Sequence, residues 1–179
     1  MSVKDIIDNI LKLEGGYVYD EKDSGGETNF GITISVARQN GYTGPMKEMP
    51  RAVAYDIYYK QYVKGPGFDK VMVLSEAIAE ELIDTGVNMG VSVSSKFLQR
   101  CLNVLNNEGS FYSDLVVDGK LGINSISALN TYLTRRGDEG EKVLLRALNC
   151  LQGVFYIELA ERRQKDKRFV YGWLKNRVV

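Results

Sequence analysis

The chain has 179 residues, 44% of them hydrophobic, and balances 23 Lys and Arg against 23 Asp and Glu. That is enough apolar material for one core of ordinary size, with room for two lobes about a cleft, and it excludes the disordered and fibrous classes. A formal charge of zero removes any long-range pull toward nucleic acid. The absence of histidine excludes Ser-His-Asp and Cys-His hydrolases, His-ligated zinc and histidine bases, which leaves proton transfer to carboxylates, Tyr or Lys.

Val3, Ile6, Ile7, Ile10 and Leu11 recur at helical spacing, so residues 3–13 are expected to form an amphipathic helix. Ser2 with Asp5 offers a capping box at its start, and Gly15-Gly16 stops it. Residues 17–33 are rich in Gly, Tyr, Thr and Asp, with β-capable runs at YVY and NFGITI, and predict a small hairpin or irregular sheet. Helices are then expected at 34–40, 50–62 and 75–88, with a loop over 63–70. Further helices at 92–106, 124–135 and 140–164 precede an aromatic, basic tail, FVYGWLKNRVV. The fold class is mainly α (α+β): an N-terminal helix, a small β-hairpin and a helical lobe.

Cys101 and Cys150 fit neither a zinc motif nor a disulfide scaffold, and both are expected to be reduced core residues. The N-terminal segment MSVKDIIDNILKLE lacks a continuous apolar run and a small-residue cleavage site, so it is not a classical signal peptide. No stretch is expected to reach transmembrane length. The protein is expected to be made in the cytoplasm and to need another export route for any work outside.

Glu14 stands four beyond Ile10, seven beyond Ile7 and eleven beyond Val3, on the apolar stripe of the first helix, whereas Asp5 and Asp8 lie on the other face. An inward, partly buried carboxyl of this kind suits a general acid, because burial favours the protonated form. The pattern leaves two other readings open: a frayed helix end, or a partner for a buried Arg.

The stretch GGYVYDEKDSGGETNFGIT after Glu14 carries a denser signal. Glu14-Gly15-Gly16-Tyr17, Asp23, Gly25-Gly26, Thr28 and Phe30-Gly31-Ile32-Thr33 resemble the motif of the phage-type lysozymes of glycoside hydrolase family 108. The resemblance implies a lysozyme-like fold with Glu14 as catalytic acid at the end of the first helix and the hairpin as one wall of the cleft. Asp23 follows Glu14 by nine residues, a spacing similar to that of phage lysozymes, and is the favoured second carboxylate, with Thr28 positioning a water. Asp20 and Glu21 compete for that role, and Asp23 before Ser-Gly-Gly is also an ordinary turn residue. Tyr17 and Phe30, within the motif, are candidate sugar-binding residues, as is Asn88 in GVNMG, which is alternatively a helix cap. Tyr55, Tyr58, Tyr59 and Tyr62 form a cluster suited to sugar stacking or to core packing.

DTGVNMGVSVSSKFLQRCLN and VDGKLGINSISALN are similar to the predicted peptidoglycan-binding region of the same family, although a DG turn before a helix also arises for structural reasons. Residues 1–90 are thus expected to be catalytic and 91–179 a helical peptidoglycan-binding region packed into the same globule. The resemblance implies an endolysin, an N-acetylmuramidase cutting the β-1,4 bond between N-acetylmuramic acid and N-acetylglucosamine. It would collect in the host cytoplasm until a holin-type release admits it to the periplasmic wall. The alternatives are a non-catalytic peptidoglycan-binding or secretion-accessory protein and a lytic transglycosylase. Bacterial peptidoglycan is the expected partner and a monomer the expected state; no metal or organic cofactor is implied. The basic tail could also touch an anionic envelope, although aromatics docked on the core are the commoner outcome.

Overall fold

The computed structural model describes residues 2–19 and 26–178, which fall into two compact units, one ending at Gly65 and the other beginning at Pro66. In the first unit, helix α1 (Val3–Glu14) opens with the expected capping box. The Ser2 hydroxyl accepts from the Asp5 amide at 3.2 Å, and Asp5 accepts from the Ser2 amide at 3.1 Å. Ile6, Ile7, Ile10 and Leu11 are buried, and α1 packs against helix α3 (Arg51–Tyr59), whose Ala54, Ile57 and Tyr58 are buried. Arg51 joins the two helices through Asp8 at 2.8 Å.

Between α1 and α3 the chain forms an antiparallel sheet of β1 (Val18–Tyr19), β2 (Glu27–Asn29) and β3 (Ile32–Thr33). Its register sets Val18 opposite Thr28 and Asn29 opposite Ile32. Asn29 is buried and donates to the Met46 carbonyl at 2.7 Å, which ties β2 to a short 3-10 turn, Met46–Glu48. Thr33 caps helix α2 (Ile34–Gln39) by accepting from the Val36 amide at 3.3 Å. Beyond Tyr59, α3 widens into a π-helical turn, Lys60–Lys64.

The second unit contains α4 (Phe68–Leu74), α5 (Glu76–Met89), α6 (Val91–Val104), α7 (Ile123–Arg162) and α8 (Lys167–Arg177). Its core includes Phe68, Val71, Ile78, Leu82, Leu98, Leu129, Tyr132 and Leu144. Several expectations change here. The loop 63–70 shrinks, because the π turn runs to Lys64 and Gly67, at φ +83, starts α4 early enough to bury Phe68. The two expected late helices, by contrast, are both present along α7, separated at Gly137, whose φ 59 and ψ −153 are not helical. The tail folds as α8, where Trp173 stacks on Tyr156 at 5.1 Å and Arg177 reaches Asp84 at 2.8 Å. Cys101 is buried but Cys150 is exposed, since it lies about 200° around α7 from buried Leu148. The α7 stretch also revises the membrane expectation: it holds an 18-residue window long and apolar enough to cross a membrane by length and composition, 39% of it buried in the protein. Helix α7 as a whole packs against α4, α5, α6 and α8.

One polar chain crosses this core. The Gln152 amide donates to the Thr85 hydroxyl at 2.9 Å, which donates to the Glu81 carboxyl at 3.2 Å. Burial, the dominant cause, pushes Glu81 up to about 7. The folded state therefore holds this proton more tightly than the unfolded chain, so stability falls as pH rises from the ordinary 4.5 toward 7 and the loss is complete above that. Glu81→Gln should raise the unfolding free energy at pH 8 by about 3 kcal/mol and change it little at pH 4.5, measured by urea denaturation. An equal effect at both pH values would show that the carboxyl is not titrating in the fold.

Candidate active site

Helix α1 ends at Glu14 because Gly15 takes φ +77, a conformation that L side chains rarely adopt. What faces the carboxyl is the turn joining β2 to β3. The pairing of Asn29 with Ile32 leaves only Phe30 and Gly31 in that turn, at φ +51 and +71. Positive φ at both central residues is the signature of a type I′ turn, whose twist matches that of the flanking strands. Its first position ordinarily takes Asn, Asp or Gly, so Phe30 is held in a costly conformation. Tyr58 supplies a restraint, its hydroxyl donating to the Phe30 carbonyl at 2.8 Å.

Gly31 brings this turn to Glu14. A Cβ built on Gly31 would stand 2.5 Å from Glu14 Oε2, 3.0 Å from its Cδ and 3.0 Å from the Tyr58 hydroxyl. The carboxyl thus lies against bare glycine backbone, beside a phenol fixed by its own hydrogen bond. Tyr62, four residues on and within the π turn, stacks on Tyr58 with ring centroids 6.0 Å apart and planes 9° apart. Burial first, and then the neighbouring Glu14 charge, push Tyr58 up to about 12 and raise Tyr62 as well. Both phenols stay neutral at physiological pH.

The expected partial burial of Glu14 is not found: the residue is exposed. The stripe that buries Ile7 and Ile10 reaches Glu14 only where the helix ends, and there the Phe30–Gly31 turn and the Tyr58 hydroxyl lie beside the carboxyl without burying the residue.

The other residues singled out in the sequence are placed unevenly. Tyr17 donates to Glu27 Oε1 at 3.2 Å; burial and this carboxylate partner raise its phenol. Thr28 donates to the Val18 carbonyl at 3.4 Å across the β1–β2 pair. Phe30 occupies the turn, where its backbone carbonyl is engaged by Tyr58. Asp23 and its competitors Asp20 and Glu21 lie outside the described residues. Asn88, in the second unit, is exposed and donates to the Asp84 carbonyl one turn back at 2.6 Å. Among the described residues, no cluster of three or more His, Cys, Asp and Glu could hold a metal ion.

The sequence reading missed the part played by Gly31, Tyr58 and Tyr62, and it did not weigh Glu27. The i, i+4 spacing of Tyr58 and Tyr62 shows that they share a face, but only the packing of α3 on α1 shows that this face meets Glu14. No comparable signal separated Glu27 from the neighbouring acids.

Residues 7–90 match the model of the glycosyl hydrolase 108 family, and residues 93–178 match that of the predicted peptidoglycan domain. The chain joins a glycosyl hydrolase 108 region to a peptidoglycan domain, and the two together mark it as a peptidoglycan hydrolase. The fold is similar to that of SagA from Brucella abortus, with 21% identity and a TM-score of 0.57 over 98% of this chain and 88% of that one. No curated protein sequence matches the chain.

Proposed function

We propose that this protein is an N-acetylmuramidase that hydrolyses the β-1,4 bond between N-acetylmuramic acid and N-acetylglucosamine, with Glu14 as general acid. The observation that carries the proposal is the Glu14 carboxyl set against the Phe30–Gly31 turn, within the stretch matched by the glycosyl hydrolase 108 model. Glu14 protonates the glycosidic oxygen as the bond to the anomeric carbon breaks, and positive charge gathers on the ring in an oxocarbenium-like state. Water adds to that carbon and passes its proton to a carboxylate, leaving a free reducing end on the product. Asp23 is the second carboxylate in this reading, stabilising the cation or activating the water, and Thr28 orients that water. Tyr17 and Phe30 contact sugar in the same reading. The endolysin setting belongs to the same proposal: accumulation in the host cytoplasm, then access to the wall through a holin-type pore.

Mass spectrometry of fragments released from purified sacculi tests the chemistry. Hydrolysis predicts reducing N-acetylmuramic acid ends. Fragments with 1,6-anhydro ends would replace the proposal with a lytic transglycosylase, and binding without release would replace it with an accessory protein.

A further inference from the structure

In the second unit a groove of about 590 Å³ lies between the irregular segment after α6 and the first turns of α7, a volume within the usual range of small-ligand sites. Its irregular wall is fastened to α6 by two amide side chains, Gln99 and Asn103, and braced within itself by a third, Asn106. Buried Gln99 donates to Asp118 Oδ1 at 2.9 Å and to the Lys120 carbonyl at 3.1 Å, and accepts from the Gly119 amide at 2.8 Å. Asn103 donates to the Leu115 carbonyl at 2.9 Å and accepts from its amide at 2.7 Å. Asn106 donates to Asp114 at 2.7 Å. A loop held at this many points presents its side chains with little left to order on binding.

The groove pairs an aliphatic surface with charges of both signs. Val116 and Ile123 are 79% and 84% exposed, although side chains of this size are ordinarily buried. Asp114 and Asp118 supply carboxylates, and Lys120 is the one cation among the lining residues. Hydrogen bonds from Gln99 and from the Lys120 amide hold Asp118 below the usual carboxylate range, so it is ionised at neutral pH. Tyr112 is the one aromatic lining residue, and its hydroxyl is spent on the Leu102 carbonyl at 2.9 Å.

Of the two parts of peptidoglycan, the stem peptide fits these features. Its alanine methyls suit aliphatic walls, and a diaminopimelate side chain ends in an ammonium and a carboxylate on one carbon. The N-acetylated glycan backbone offers no ammonium for two carboxylates to recognise. We infer that this groove binds the stem peptide, with Asp114 and Asp118 toward its ammonium, Lys120 toward its carboxylate, and Val116 and Ile123 against its methyl groups. The inference rests on peptidoglycan being the substrate, and it gives the second unit a peptide-reading role separate from cleavage at Glu14.

The test is a titration of the full chain, isotope-labelled for NMR, with L-alanyl-γ-D-glutamyl-meso-diaminopimelyl-D-alanine, and separately with an N-acetylglucosamine tetramer. The peptide should shift amides within residues 112–128, and the sugar should leave them unmoved. Lys120→Glu and Ile123→Ser should each weaken peptide binding at least about tenfold, roughly the loss of one well-placed contact. Both side chains are exposed, so an unchanged amide spectrum elsewhere will confirm the fold of each variant. Absence of peptide shifts at millimolar concentration, or shifts from the sugar alone, would overturn the assignment. Failure of the muramidase proposal shows instead as missing reducing ends from sacculi, a result that leaves the titration unaffected.

Discussion

Glu14→Gln should fold like the wild type and still bind sacculi, while releasing glycan fragments about 10²- to 10⁴-fold more slowly, the usual range for a removed general acid. The amide keeps the shape of the carboxyl but has no acidic proton to give the leaving oxygen. Stability should hardly change, because Glu14 is exposed at a helix end and packs in no core. Slow turnover with normal sacculus binding and an unchanged unfolding midpoint is therefore the expected combination. Undiminished release would sink the assignment of Glu14 and move attention to Glu27, the nearby strand carboxylate that accepts from Tyr17.

The elements legible in the sequence are those whose signals are local. The capping box at Ser2, the apolar stripe from Val3 to Leu11 and the Gly15 stop all depend on spacing within one turn of chain, and they fixed the extent of α1 to a single residue. Helix α4 was hidden because Gly65-Pro66-Gly67 reads as a loop, while the reason for a helix at Phe68 is burial against residues distant in sequence. The candidate site divides the same way. Glu14 stood out because a carboxylate broke an apolar pattern, yet the pattern gave the wrong burial, since periodicity cannot say where a helix loses its covering neighbour. Gly31 was visible only as part of a motif, and its purpose depends on a carboxyl seventeen positions earlier and a phenol twenty-seven positions later.

Gly31→Ala offers a sharper test of the geometry, because its effects on folding and on activity should separate. The backbone at φ +71 disfavours any residue with a Cβ, and a left-handed position of this kind costs roughly 1–2 kcal/mol. The added methyl would also enter the space of Glu14 Oε2, 2.5 Å from the ideal Cβ position. That carboxyl ends an exposed, flexible side chain, so it can swing aside at little cost to stability. The Tyr58 hydroxyl, 3.0 Å from the same point and bonded to Phe30, is less free to yield. Relief therefore falls mainly on Glu14, and an acid displaced by about 1 Å can lose on the order of 10²-fold in rate. Gly41→Ala is the matched control: Gly41 has φ +86 in the same unit, and nothing lies within 4 Å of its Cβ position. Both variants should lose similar stability in urea, but only Gly31→Ala should lose about a hundredfold in glycan release. Equal activity in the two would mean that Gly31 serves the turn alone and that the Glu14 carboxyl need not rest where this structure holds it.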